Sequence, residues 1–283
     1  HETARIDALI EEQQRLIELL QEKRQTVISH AVTKGLDPDV PMKDSGVEWL
    51  GEVPEHWEVR KISNLTDKVT NGYVGPTRDV LKDDGVRYLQ SLHIKNNAII
   101  FDPPYYVDEK WSEAHGKSIL KDGDVVLVQT GDIGQVARVP KEFEGSNCHA
   151  LIILSPIPGA ISGGYLSWVL NSDYGFDSLK SIQTGALHPH LNCGYVKDVY
   201  VPCPPVDEQE EIEEYLSSKL NELGLLSEEI NKAENLLRER RSALISAAVT
   251  GKIDVRNWQP KDEAEQPEYA MAAEASATYG ASP

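Results

Sequence analysis

One stretch of this chain occurs twice, and the repetition constrains the fold more than any other feature. LLQEKRQTVISHAVTKGLD runs from Leu19 to Asp37, and LLRERRSALISAAVTGKID runs from Leu236 to Asp254. At a constant offset 10 of the 19 positions are identical: both leucines, Glu, Arg, Ile, Ser, Ala, Val, Thr and the final Asp. Copies this far apart are not a solenoid period, which is roughly 20–50 residues. Each copy closes a long heptad-patterned segment, so the repeat predicts two equivalent helices flanking a module of different character.

The first helix carries a seam at Ile6, Ile10, Gln13, Ile17, Leu20, Arg24, Val27 and Ala31, spaced 4-3-4-3 as in a coiled coil. Gly35 supplies its C-terminus. A helix from Thr3 to Lys34 would be roughly 48 Å long at 1.5 Å per residue. The second seam runs through Ile212, Leu216, Leu220, Leu223, Ile230, Leu237 and Leu244, after an acidic first turn suited to the positive helix end. Two helices that enter and leave one module return most simply as an antiparallel hairpin.

The segments are thus a first helix over 1–36, a linker over 37–58, a module over 59–206, a second helix over 207–254 and a tail over 255–283. Pro38, Pro41, Gly46, Gly51 and Pro54 exclude long regular structure from the linker, and Trp49 and Trp57 are expected to pin it to a neighbouring surface. In the module, short apolar runs predict strands at Val86–Gln90, Ala98–Phe101, Asp124–Val128, Gln135–Val139, His149–Leu154 and Val199–Val201. Helices are expected over Gly164–Asn171 and Tyr174–Ser181. The fold class is therefore α+β, a strand-rich module on a helical stalk. The acidic, small-residue tail reads as disordered.

The net charge of −18 argues against a simple basic nucleic-acid binder, but it is unevenly spread. Residues 1–57 hold 6 basic and 12 acidic side chains, residues 58–206 hold 14 and 17, and residues 207–283 hold 8 and 17. The module is nearly balanced, so global charge neither vetoes nor supports DNA binding. Cys148, Cys193 and Cys203 form no CxxC pair, which fits a reducing, cytoplasmic setting, and no apolar run is long enough to span a membrane. The chain begins at His1 without an initiator Met, inside a helical pattern, as expected of a fragment or a processed form.

Four long motifs follow one another along the chain: ETARIDALIEEQQRLIELLQEKRQTVISHAVTKGLDP with KDSGVEWLGEVPEHWEVRKI, LKDGDVVLVQTGDIGQVA, QTGALHPHLNCGYVKDVYVPCPPVDEQEEI, and the second helix with RSALISAAVTGKID. In that order they resemble the specificity (S) subunits of type I restriction-modification enzymes. The resemblance covers roughly residues 2–258. It implies one target recognition domain, the second of the usual two, with both conserved helices as spacer and methyltransferase-docking surface. Each such domain reads half of a bipartite double-stranded DNA target. A stalk of roughly 48 Å is compatible with readers somewhat more than one DNA turn apart, about 34–36 Å. The implied partners are methyltransferase (M) subunits, the restriction (R) subunit through the complex, and either a missing first recognition domain or a second S chain.

Base edges are read by polar side chains on loops, and phosphates by basic groups. Candidate DNA-binding residues of that kind are Asn71, Tyr73 and Arg78, then Lys95, Asn96 and Asn97. Gln129 and Thr130 follow a strand, and Gln183 and Thr184 lead to His188, His190 and Asn192. Arg138 and Lys141 are candidate phosphate contacts. For subunit docking the candidates are the pairs kept between the repeat copies, Arg24 with Arg241, Ser29 with Ser246 and Thr33 with Thr250.

Other chemistry finds less support. Asp102-Pro103-Pro104-Tyr105 looks like the tetrapeptide with which amino-methyltransferases hold a flipped base, but Gly131-Asp132-Ile133-Gly134 does not match a glycine-rich cofactor turn. Cys148, His149, His188, His190 and Cys193 fit no standard zinc spacing, so no metal is expected. There is no GKS/T loop, no HExxH and no nuclease carboxylate set. The chain is read as non-catalytic, with S-adenosylmethionine, ATP and Mg confined to partner subunits. The rival reading is a coiled-coil scaffold whose head binds protein.

Overall fold

The computed structural model describes residues 1–185 and 189–253. The expected tail over 255–283 and the candidate His188 lie outside the described residues. Helix α1 spans Glu2–Lys34. The linker then forms two short strands, β1 (Met42–Asp44) and β2 (Glu52–Pro54). Next come β3 (Glu58–Lys61), β4 (Thr66–Asn71), β5 (Leu81–Lys82), β6 (Val86–Leu89), β7 (Ile94–Lys95), β8 (Ala98–Ile99) and β9 (Tyr106–Val107). Helix α2 (Glu109–Ala114) precedes β10 (Val125–Val128), β11 (Val136–Arg138), β12 (Asn147–Cys148) and β13 (Leu151–Pro156). The chain closes through α3 (Gly163–Asn171), α4 (Asp173–Ser181), α5 (Cys193–Val196), β14 (Tyr200–Cys203) and α6 (Val206–Val249).

The described residues form two compact units, 1–18 with 227–253, and Leu19–Leu226. In the first, described as far as residue 253, the two helix segments run antiparallel. Arg241 meets Asp7 through Nε to Oδ1 at 2.5 Å, and Gln14 Nε2 donates to Glu234 Oε1 at 3.2 Å. Seven residues forward on α1 answer to seven back on α6, one heptad each way. Ile6 and Ile10 are buried here. Along all of α1 the eight expected seam residues are buried or half-buried, while most other positions up to Thr26 face solvent.

In the second unit, strands β11-β10-β13-β4 make an antiparallel sheet. Its runs VVLV and LIIL are uninterrupted because both faces are covered. Val125, Leu127, Ile152 and Leu154 enter one core with α3, Val27, Ile28, Ala31 and Val32 of α1, and Ile212, Leu216, Leu220 and Leu223 of α6. Val126, Val128, Leu151 and Ile153 enter a second core on the opposite face with Leu89, Ile94 and Phe143. The alternation is the period of two of a strand. A smaller sheet, β12-β6-β9-β5, pairs β12 with β6 in parallel.

The motif LKDGDVV is a turn before the expected strand. Asp124 Oδ2 accepts the Lys121 amide at 2.9 Å, Gly123 is left-handed at φ +84°, and burial pushes the Asp124 carboxyl above its usual range. The linker is tied down at Trp57, fully buried, whose indole N–H donates to Glu208 Oε1 at 3.0 Å. Trp49 departs from the expected pinning, since it is 60 % exposed. Asp102–Tyr105 is a packing turn between β8 and β9. Pro103 O accepts from His93 Nε2 at 2.8 Å, and Tyr105 O accepts the Tyr88 amide at 2.8 Å.

Candidate functional site

At the C-terminal end of β4 the chain leaves regular pairing and opens a cleft of about 570 Å³. Asn71 is the last residue in register with β13, opposite Ile152. Gly72 then donates to Leu151 O at 2.7 Å and Tyr73 to Cys148 O at 2.9 Å, which presses this segment against β12. A Cβ at residue 72 would stand 2.7 Å from both Cys148 O and Cys148 Sγ, so the approach requires glycine. Asn71, Tyr73, His115, Lys117 and Cys193 line the cleft.

An aromatic cluster holds Tyr73. Its ring meets Trp111 and His115 edge-on, both at 5.0 Å between centroids, while Trp111 and His115 stack at 4.0 Å. Tyr88 meets Trp111 at 5.6 Å, and Tyr88 and His149 approach within 6.2 Å. Helix α2 sets this up: Asp108 caps it by accepting the Lys110 and Trp111 amides at 3.0 and 3.2 Å. His115 Nδ1 donates to Trp111 O at 2.7 Å, which leaves Nε2 for another partner. Burial lowers the His149 imidazole from its ordinary value and pushes the fully buried Cys148 thiol up to about 12.

The sequence candidates fall into separate groups. Asn71 and Tyr73 line the cleft, and the Asn71 side-chain oxygen accepts the Cys193 thiol. Gln129, Thr130, Thr184 and His190 are brought together, yet several of their polar groups hold the loop. Gln129 Nε2 donates to Leu191 O at 3.0 Å, Thr184 Oγ1 meets His190 Nε2 at 3.1 Å, and Thr130 bridges to His190. Gln183 sits beside them, half-buried, its amide donating to Lys180 O at 3.3 Å. Asn192 caps α5 through the Gly194 amide at 2.7 Å. Arg78 is exposed on the loop beyond the cleft.

Lys95, Asn96 and Asn97 lie elsewhere. Asn96 and Asn97 form the two-residue turn between β7 and β8 with φ of +52° and +62°, a conformation asparagine tolerates. Arg138 pairs with Asp122 at 2.9 Å and Lys141 with Glu144 at 2.5 Å, so both candidate phosphate contacts already hold carboxylates. His115, Lys117 and Trp111 were not picked out by sequence reasoning. The available signal was the capping Asp108 ahead of a short segment that carries Trp111, His115 and Lys117.

The repeat pairs differ from one copy to the other. Ser29 Oγ donates to Asp173 Oδ2 at 2.8 Å, within the module unit. Thr33 Oγ1 donates to Ser29 O, and Thr250 Oγ1 to Ser246 O, both at 2.7 Å, so the shared Ser/Thr pattern encodes one local bond in each copy. Arg241 is ion-paired to Asp7. Arg24 is half-buried and has no ion-pair or hydrogen-bond partner among the described residues. No group of three or more His, Cys, Asp or Glu residues is placed to hold a metal among the described residues. No described helix is long and apolar enough to cross a membrane.

Comparison with known proteins agrees with this architecture. The chain is 24 % identical over 259 residues to the type I restriction enzyme MjaVIII specificity subunit of Methanocaldococcus jannaschii, covering 89 % of this chain and 58 % of the relative. It is 23 % identical over 223 residues to the EcoKI specificity subunit of Escherichia coli, covering 75 % of this chain and 47 % of that protein. The chain therefore spans about half the length of these relatives. A solved chain from work on complex assembly and conformational transition of the type I R-M system shares the fold with a TM-score of 0.59 at 16 % identity, over 87 % of this chain and 57 % of that one. The HsdS subunit of Thermoanaerobacter tengcongensis follows at 0.51 and 16 %, over 88 % and 57 %. The family profile described as Type I restriction modification DNA specificity domain matches residues 54–235, more than half of the sequence, and the chain belongs to that family.

Proposed function

We propose that this chain reads one half of a bipartite DNA sequence for a type I restriction-modification complex, and that its paired helices dock the methyltransferase subunits. The observation that carries the reading is an asymmetry between the repeat copies. In the first copy Ile28 and Val32 are 3 % and 0 % exposed, because the module is seated on that face. In the second copy the equivalent Ile245 and Val249 are 40 % and 82 % exposed. One reader thus occupies the first of two equivalent seats, and a second reader, from a missing first recognition domain or another S chain, completes a bipartite site at the other.

The cleft at Asn71 and Tyr73 supplies hydrogen-bonding and aromatic groups for base edges, and Lys117 supplies a cation for the backbone. Methyl transfer and cleavage belong to the M and R subunits, with S-adenosylmethionine, ATP and Mg bound there. The test is to incubate a random duplex library with the chain, alone and with its methyltransferase subunit, and to sequence what is retained. Enrichment of a motif of a few base pairs supports the reading. Absence of enrichment in both conditions overturns it.

A further inference from the structure

Arg24 stands where its repeat partner has an acid and it has none. Leu19 aligns with Leu236, and the same offset extends the identity backward through Leu9 and Leu226, Glu11 and Glu228, and Glu12 and Glu229. It carries Arg24 onto Arg241, which is held by Asp7, and it carries Asp7 onto Gly224. The position equivalent to Asp7 in the second copy is therefore a glycine. Arg24 is half-buried without an ion-pair partner among the described residues, and desolvation lowers its guanidinium from the ordinary value.

Arg24 opens onto a cavity of about 310 Å³ that also takes in Asn96, Asn97, Gln135, Asn171 and Trp168. The hydrogen bonds around it engage acceptors rather than donors. Gln135 Oε1 is taken by the Asn96 amide at 3.2 Å. Asn171 Nδ2 donates to Ser167 O at 2.7 Å and shares its second proton between Val136 O at 3.2 Å and Asn97 Oδ1 at 3.1 Å, which fixes its amide orientation. With both acceptor oxygens engaged, the NH₂ groups of Gln135 and Asn97 remain as donors beside the guanidinium. The carboxylate at the rim, Asp173, accepts from Ser29. Lys95 is exposed on the same turn.

A guanidinium and two amide NH₂ groups line one cavity, and its one lining carboxylate, Asp173, already accepts from Ser29, so the set can take an anion. We propose that this cavity, lined by Arg24, Asn97 and Gln135, seats a phosphate of the DNA backbone and so positions the duplex on the module, apart from the cleft at Asn71. The proposal rests on the DNA-reading function above.

The experiment measures duplex affinity of the full chain across a salt series, for wild type, Arg24→Gln and Gly224→Asp. Each released counterion contributes about 0.9 to the slope of log affinity against log salt. Arg24→Gln should flatten that slope by about one and weaken every sequence alike, roughly tenfold at low salt. Gly224→Asp should do the same by giving Arg24 the acid its counterpart has. Its melting temperature should not fall, because a Cβ at 224 meets nothing within 4 Å and glycine is a poor helix former. An unchanged slope in Arg24→Gln overturns the proposal while the DNA-reading function stands. So does loss of methyltransferase-subunit binding with an unchanged slope, which assigns the cavity to a partner's carboxylate. Failure of the wild type to hold any duplex overturns the DNA-reading function and this site with it.

Discussion

Ser29 and Asp173 hold each other twice: the serine hydroxyl donates to the Asp173 carboxylate at 2.8 Å and accepts the Asp173 amide at 2.9 Å. That amide lies in the first turn of α4, where backbone donors lack helical partners. One hydroxyl on α1 thus satisfies the end of a helix in the module.

Ser29→Ala should destabilise the module unit by about 1 kcal/mol, the usual net worth of a hydrogen bond. Ser246→Ala, the same change in the second copy, should stay within about 0.5 kcal/mol in the isolated chain. Chemical denaturation of both variants checks this. Equal costs would mean that the serine is kept for helix geometry alone.

Glu208 should anchor the linker. Its carboxylate takes the Trp57 indole at 3.0 Å and His56 Nε2 at 2.8 Å. Glu208→Ala leaves the buried indole N–H without its acceptor, at a cost of about 1–3 kcal/mol. Limited proteolysis should then cut within 37–56 faster than in the wild type.

Acidification should weaken the fold through His93. The fully buried ring accepts the Gln90 amide on Nδ1 at 2.9 Å and donates to Pro103 O from Nε2 at 2.8 Å, an arrangement only the neutral imidazole can make. Burial is the main cause that holds its pKa below the ordinary 6.5, against the opposing hydrogen bond to Pro103. Below about 6.5 the unfolded chain takes up a proton that the folded chain refuses, so stability falls as pH falls through that range. Denaturation midpoints between pH 7.5 and 5.5 should drop in the wild type. They should drop less in His93→Gln, from a lower starting value.

In the cleft, Lys117 and Asn71 should separate affinity from selectivity. Lys117→Gln should weaken all duplexes alike and flatten the salt slope by about 0.9. Asn71→Ala should relax the retained motif at one position, with a discrimination loss of about 1–3 kcal/mol. Sequencing of duplexes retained by each variant distinguishes the two.

The sequence made the helices and central strands legible for physical reasons. Seam residues such as Ile10 and Leu216 recur at the helical period because only one side of each helix is covered. Val125–Val128 and Leu151–Leu154 stand out because both faces are buried. Strand β4, TDKVTN, does not stand out, since its edge position leaves polar residues half-exposed. The site was half legible. Asn71 at the end of β4 and Tyr73 just beyond it line the cleft, whereas Gln129, Thr184 and Asn192 spend the same polar chemistry on holding loops and caps. His115 and Lys117 reach the cleft from a distant segment, through packing that no local pattern encodes.

The antiparallel pairing of β3 with β14, Glu58 against Cys203 through Lys61 against Tyr200, joins the entrance and exit of the module. Paired strands lie about 4.8 Å apart, so everything between Ile62 and Val199 is an insertion whose two ends almost coincide. Such an insertion can change in length and internal sequence while α1 and α6 stay in place, provided that the face packed on Val27, Ile28 and Ile212 is kept. In evolutionary terms the helices can remain a fixed chassis while the inserted cassette drifts or is transplanted whole.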